Sequence, residues 1–525
     1  MDATTDHNTT SNYMNVPPNF LIVNPNKGRK RDIFKYLLKK DVKSGMSFLD
    51  SSEEGVKGGA AVDHRWILLV SIIIRRVLAL IATPLKYFGF VVDFFLNLLS
   101  QNGGFSGILN NFLHGKLKIP MRGTEHFIST IGHLDGRIDL YRSTILAEKV
   151  DDSVANDANI RSELGNRYLM DLCIMASKLV YENEKVVKNV VDHHWKMHFL
   201  AFYNCWNENQ KESNTQVLML SDKPKDANLI VISFRGTEPF NAQDWSTDFD
   251  FSWYEIPKVG KIHIGFLEAL GLGNRGDATT FQTYLQRKHT KGFLHLNGDH
   301  SEGTMIEWAK KSAYYAVLLK LKSLLKEHKH AKFVVTGHSL GGALAILFPS
   351  VLVIQEETEI LQRLLNIYTF GQPRIGDAQL GKFMESYLNY PVTRYFRVVY
   401  CNDMVPRVPF DDKIFAFKHF GNCLYFDSRY FGRLMDEEPN RNYFGLRHII
   451  PMRLNAIWEV LRSFIISHTH GADYQESWFC TFFRVMGLVL PGVAAHSPID
   501  YVNSVRLGRE RVAPLASLKS FARKL

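Results

Sequence analysis

The stretch VVTGHSLGGALA at 334–345 is an apolar run, a serine between glycines, and a second apolar run. Periodicity assigns the first run to a buried strand and the second to a helix, so the serine sits at the joint between them. At such a joint the chain turns so sharply that a side chain two residues before or after the serine would strike neighbouring backbone. Gly337 and Gly341 occupy those two positions. A buried strand feeding a buried helix commits this part of the chain to an α/β architecture.

The alternation continues on both sides. DANLIVISFRGT reads as a buried strand ending in a turn, AYYAVLLKLKSLLKEH as an amphipathic helix and AKFVVTG as the next strand. After the helix HSLGGALAILFPSVLVIQ come LLNIYTFGQPRIG as strand and turn, DAQLGKFMESYL as helix and VTRYFRVVYCNDMVPRVP as a further strand. Strands separated by helices imply a mostly parallel sheet with right-handed crossovers, and sites in such sheets lie at the carboxyl ends of the strands.

Gly337-His338-Ser339-Leu340-Gly341 is the pattern G-x-S-x-G in the strand–helix context that makes it specific for a nucleophile. The following helix aims its N-terminus at the hydroxyl, and Leu340 N–H is positioned to stabilise an oxyanion. A serine is a weak nucleophile at neutral pH and needs a base that is itself oriented by a carboxylate, in the chain order Ser, Asp or Glu, His. Asp403, just past a strand and before Pro406 and Pro409, is the candidate acid. Downstream histidines are His419, His448, His468, His470 and His496. His496, in a loop after an apolar run ending in Pro491-Gly492, is preferred as base, with His468 and His470 as competitors. Thr237, beside a glycine in ISFRGTEP, is the candidate second oxyanion donor. The segment after it, FNAQDWSTDFDFSW, mixes aromatics with acids in the manner of a lid over an apolar pocket.

The rest of the 525-residue chain divides by composition. Residues 1–65 are polar and basic, with the loose stretch SSEEGVKGGAA, and weak or local order is expected there. Residues 66–100 are apolar enough to serve as a membrane or lipid-droplet anchor. Arg75, Arg76, Pro84, Lys86 and Asp93 oppose a simple crossing, so a segment lying in the interface, its arginines snorkelling to headgroups, is the alternative. Residues 101–160 read as a linker or helical lead-in, 161–510 as the α/β domain, and 511–525 as a basic tail. The formal net charge of +10 raises nucleic acid or an anionic membrane surface as partners. Basic residues flank apolar segments, as in NKGRKR, which favours the membrane and disfavours nucleic acid. Five scattered cysteines without a C-x-x-C pair argue against a zinc site and a disulfide framework and point to a reducing compartment. The polar, acid-containing N-terminus lacks the layout of a secretory signal, which makes the Asn8-Thr9-Thr10 sequon a chance match, and ARKL at the C-terminus only partly resembles a peroxisomal address.

Taken together, FRGT, DWSTDF followed by KIHIGFLEAL, VVTGHSLGGALA, TFGQPRIGD and RVVYCNDMVPRVP resemble the class 3 lipases, over about residues 210–425 and again near 490–505. The resemblance implies an α/β-hydrolase fold, Ser339 as nucleophile, Asp403 as acid, His496 as base, Thr237 with Leu340 as oxyanion hole, and a lid near Pro239–Trp253. Within that family the apolar N-terminal zone makes the chain look like the plant oil-body lipases. The activity so implied is serine-dependent hydrolysis of acylglycerol, above all triacylglycerol, at a lipid-droplet monolayer on its cytosolic face, with no metal or organic cofactor. A phospholipase or galactolipase using the same triad, or an inactive droplet protein, is the rival reading. Two segments depart from the compact fungal members: GLGNRGDATTFQTYLQRKHTKGFLHLNGDHSEG, and an apolar insertion from about Phe431 to Ala494. The second either adds membrane contact or packs under the lid, and the sequence does not choose.

Overall fold

The buried apolar runs line up in chain order as one nine-stranded sheet: β1 (His198–Asn207), β2 (Glu212–Ser221), β3 (Leu229–Phe234), β4 (Lys332–His338), β5 (Leu364–Phe370), β6 (Tyr395–Tyr400), β7 (Asn422–Phe426), β8 (Phe431–Met435) and β9 (Arg509–Glu510). The computed structural model describes residues 18–141, 167–207, 210–285, 312–411 and 417–510. The Asn8 sequon, the stretches 142–160 and 286–303, and the tail 511–525 lie outside the described residues. Pairing is parallel from β3 through β7, and antiparallel between β1 and β2, β2 and β3, and β7 and β8. The mostly parallel sheet expected from the helix–strand alternation is present.

The helices that position the site are α1 (Arg65–Asn102), α2 (Gly104–Leu113), α3 (Thr130–Leu134), α4 (Arg167–Leu179), α5 (Ala242–Asp248), α6 (Ala313–Glu327), α7 (Leu340–Ile354), α8 (Ala378–Leu388), α9 (Ile449–His470), α10 (Trp478–Met486) and α11 (Pro498–Leu507). α6, α7 and α8 make the crossovers between β3, β4, β5 and β6, as parallel neighbours require. Alternate residues of the central strands go to opposite faces. Ile230, Ile232, Phe333 and Val335 enter one core with α6 and α7, and Val231 and Val334 enter a second core with α4 and α11. α7 is buried from Leu340 to Val353, which explains why its sequence is apolar all round rather than along one stripe.

The expectation of weak order up to residue 65 is corrected for residues 18–65, and residues 1–17 lie outside the described residues. Asn19–Val23 pairs antiparallel with Leu49–Ser51 and with Trp253–Ile256, within a second, six-stranded sheet. Leu21, Val23, Tyr36 and Phe48 share a core with Leu68, Leu69 and Ile72 of α1 and with Phe251, Trp253 and Phe410. The presumed loose linker is helix Glu54–Asp63, with Ala60 and Ala61 buried. Partners more than 200 residues away order a segment whose own composition is too polar to fold alone.

α1 runs unbroken for 38 residues through Pro84, and by length and composition it is a helix able to cross a membrane, with a mean hydropathy of 2.1 over its candidate window. The expectation that its arginines reach lipid headgroups is also corrected. Arg75 Nη1 donates to Val23 O (2.8 Å) and to Asp250 Oδ1 (3.0 Å), and Arg76 Nη2 donates to Pro25 O (2.6 Å). Further along, Lys86 pairs with Glu212 (2.8 Å) and Asp93 with Arg122 (2.9 Å). Crossing a bilayer would place Arg75 near its centre, at a cost of about 2.5–3.5 kcal/mol. It would also break a buried ion pair, worth about 3–5 kcal/mol when one partner is removed. The helix instead lies along the domain, with Val77, Leu80, Tyr87 and Val91 exposed on its outer side. On α2 no residue is buried, and Phe105, Leu109, Phe112 and Leu113 are exposed.

The segment expected as an insertion from about Phe431 opens with β8, a strand of the central sheet, so the departure from the sheet begins after Met435. α9 and α10 follow as a helical hairpin.

Candidate active site

Ser339 follows β4 directly and caps α7, with φ 60° and ψ −133°. A non-glycine residue at such angles costs about 1–3 kcal/mol and persists only where the surroundings enforce it. Here the enforcement is packing: a Cβ on Gly337 would lie 2.1 Å from Gly341 O, and one on Gly341 would lie 2.2 Å from Phe234 O. The turn therefore closes only with glycine at both positions. Its product is a serine held at the carboxyl end of a central strand, fully buried, with Oγ lacking a hydrogen-bond partner among the described residues.

Asp403 and His496 are brought together from β6 and from the loop before α11. His496 Nδ1–H donates to Asp403 Oδ2 at 2.7 Å, which leaves Nε2 as the acceptor nitrogen, buried and without a partner among the described residues. Val405 N–H donates to Asp403 Oδ1 (2.9 Å), and the Tyr501 hydroxyl also donates to Oδ2. Gly371 joins this pair to the serine. Ser339 N–H donates to Phe370 O (2.9 Å), and a Cβ on the next residue, Gly371, would sit 2.9 Å from both Asp403 Oδ2 and His496 Cε1.

The competing histidines are elsewhere. His468 and His470 are exposed at the end of α9, and the His419 side chain is buried with Nε2 on Pro406 O (2.6 Å). His448 caps the start of α9.

His338, the variable residue before the serine, has a place that the sequence did not suggest. Its ring stacks on His496 at 4.5 Å, Nε2–H donates to His496 O (3.0 Å), and the Tyr181 hydroxyl donates to Nδ1 (3.2 Å). Burial first, and then His496, push its pKa well below the usual histidine value, so the ring is neutral as this bonding requires. The bond that Tyr501 makes was not foreseen either: the tyrosine lies five residues beyond His496 on α11, and its bond to Asp403 crosses 98 positions of sequence.

Thr237 follows β3, and a Cβ on its neighbour Gly236 would lie 2.9 Å from Ser339 Cβ, so this loop abuts the serine. Thr237 Oγ1 is buried and has no partner among the described residues. Leu340 N–H stands at the first turn of α7, where helix amides lack intrahelical acceptors.

The segment Pro239–Trp253, containing α5, closes over the site. The Trp245 ring lies 6.5 Å from His496. Within this segment neither carboxyl oxygen of Asp248 has a partner among the described residues; burial, then Asp244 and Asp403, raise its pKa well above the usual carboxylate value. α1 grips this segment at both ends. Phe88 packs edge-on against Phe240 at 5.6 Å, Ser71 Oγ donates to Phe249 O (2.7 Å), and Arg75 holds Asp250.

A serine elbow between strand and helix, with the acid from a later strand end and the histidine from a loop further on, in chain order, defines an α/β-hydrolase. The family model for lipase (class 3) matches residues 231–413. Triacylglycerol lipase OBL1 of Nicotiana tabacum is 51% identical over 95% of this chain and 96% of its own length, and the protein of the same name from Arabidopsis thaliana is 54% identical over 95% and 97%. Among solved structures, the triacylglyceride lipase of Rhizomucor miehei matches with a TM-score of 0.35 at 20% identity, over 51% of this chain and 82% of that one. The chain belongs to the class 3 lipases, which are carboxylic ester hydrolases.

Proposed function

We propose that the protein hydrolyses triacylglycerol at the surface of lipid droplets through a Ser339–His496–Asp403 triad. The observation that carries the mechanism is His496, held by Asp403 through Nδ1, with Nε2 left free beside the elbow that bears Ser339. Nε2 takes the hydroxyl proton as Ser339 attacks the acyl carbonyl, and Leu340 N–H with Thr237 stabilises the tetrahedral oxyanion. His496 then gives its proton to the leaving glycerol oxygen, and water activated by the same nitrogen cleaves the acyl-enzyme. His338 and Tyr501 act through position: one fixes the His496 backbone, the other the Asp403 carboxylate.

The substrate reading is supported by the relatives' name, triacylglycerol lipase, and by the outward apolar faces of α1 and α2. The closed Pro239–Trp253 segment is read as a lid that opens at a lipid surface, where its aromatic side chains meet acyl chains instead of water. α1 associates lengthwise with a droplet monolayer from the cytosolic side, since its charged residues are committed to partners in the protein.

Emulsified triolein is hydrolysed faster than phosphatidylcholine or galactolipid presented at equal surface area, as measured by fatty acid release; preference for either polar lipid would overturn the substrate assignment. Thr237→Val lowers kcat on triolein by about 10²–10³, the usual loss on removing one oxyanion donor. Thr237→Ser keeps most of the rate, and equal rates for Thr237→Val and the unaltered protein would remove Thr237 from the oxyanion hole.

A further inference from the structure

The hairpin α9–α10 is amphipathic in the inverse sense. Leu454, Ile457, Leu461 and Phe464 form an exposed stripe on α9 at three- and four-residue spacing, and Trp478 and Phe482 continue it on α10; Leu454 is 61% exposed and Trp478 60%. The charged residues point inward. Arg462 Nη2 lies 2.6 Å from Asp500 Oδ1, Arg484 Nη1 lies 3.0 Å from Asp500 Oδ2, and Arg484 Nη2 lies 2.7 Å from Glu476 Oε1. The Tyr400 hydroxyl donates to Glu459 Oε1 (2.9 Å). A hairpin exposed to water places such groups the other way round. From Leu446 to Leu490 the exposed formal charges are Arg447, Arg453 and Asp473, the last in the turn between the helices.

We propose that this hairpin is a second lipid-docking element, which seats its apolar stripe among acyl chains while Arg447 and Arg453 meet the phosphates of a phospholipid coat. The proposal rests on the lipid-surface reading of α1 and α2. Charge selects the occupant: Arg447 and Arg453, at the start of α9, suit anionic headgroups. Continuity supports it as well, because α3 packs against both α1 and α10, with Ser477 Oγ donating to His133 O at 3.2 Å. The hairpin is also seated on the catalytic machinery. Asp500, which holds both buried arginines, belongs to the same helix as Tyr501, and that helix begins two residues after His496. Docking through this face therefore sets the height of the base above the lipid.

The test uses the full chain carrying Leu454→Ser, Leu461→Ser, Phe464→Ser and Trp478→Ser, all at exposed positions. A parallel variant carries Val77→Ser, Leu80→Ser and Val91→Ser on α1. Flotation is measured with triolein droplets coated by phosphatidylcholine and phosphatidylserine, and hydrolysis with the same droplets and with soluble p-nitrophenyl butyrate. The droplet-bound fraction and droplet turnover of the hairpin variant fall at least about fivefold, while butyrate hydrolysis stays within about twofold. Arg447→Glu with Arg453→Glu gives a smaller loss that disappears on droplets lacking phosphatidylserine. Undiminished flotation of both hairpin variants overturns the proposal. If the α1 variant floats less in that same experiment, the lipid reading of α1 survives; if it also floats normally, both fall. Normal flotation with a change from dimer to monomer in sedimentation would assign the face to a second copy and overturn the proposal as well.

Discussion

Ser339→Ala lowers the hydrolysis of emulsified triolein by on the order of 10⁶, leaving only the rate that binding and oxyanion contacts supply without a nucleophile. Titration of released fatty acid measures it. The loss is clean because the hydroxyl removed has no partner among the described residues to orphan, and alanine at φ 60° inherits the backbone conformation that the glycines already impose. The melting temperature accordingly stays within about 2–4 °C, the shift that ~1 kcal/mol produces in a large domain. Equal rates for the two proteins would make the chain an inactive droplet protein and remove the mechanism altogether.

His496→Ala produces a loss of similar order, about 10⁶, because nucleophile and base act as one unit; adding it to Ser339→Ala costs little more. The informative control is His468→Ala, which leaves turnover within about twofold, since an exposed residue at a helix end touches none of the groups that hold the site. Both are followed by initial rates on triolein and on a soluble ester. Retained activity in His496→Ala, or its loss in His468→Ala, would sink the triad as drawn. The structure explains why spacing alone could not separate these histidines. His468 stands at the turn of the hairpin and His496 beyond its second helix, and ion pairs to Asp500 and apolar packing hold the hairpin folded back where His496 reaches Asp403.

What could be read from the sequence follows the range of the forces involved. The elbow is legible because its signature is compact: Gly337 answers a clash with Gly341 O four residues on, and Gly341, although its own clash is with distant Phe234 O, falls inside the same pentapeptide. The parallel sheet is legible because each strand carries its own apolar run and each crossover its own helix. The N-terminal zone was misread because Asn19–Val23 finds its neighbours at Leu49–Ser51 and Trp253–Ile256, and short polar context hides distant pairing. Arg75 was misread for a related reason. Within its own helix it looks like a headgroup ligand, while the partner that decides its position is Asp250, 175 residues away. His338 and Tyr501 carry no pattern of their own, and their roles exist only in the folded site.

The grip of α1 on the segment over the site bears on how this protein can be handled. Removing residues 65–102 does more than take away a proposed lipid-binding face. It takes away the packing surface for Phe240, the acceptor-holding hydroxyl at Phe249 and one of the two cations, Arg75 and Arg275, that compensate buried Asp250. A truncated protein therefore starts with this segment unmoored and a half-neutralised carboxylate within it. In such a deletion any loss of the proposed droplet binding is confounded with loss of catalytic competence, and surface substitutions on the outer side of the helix pull the two apart.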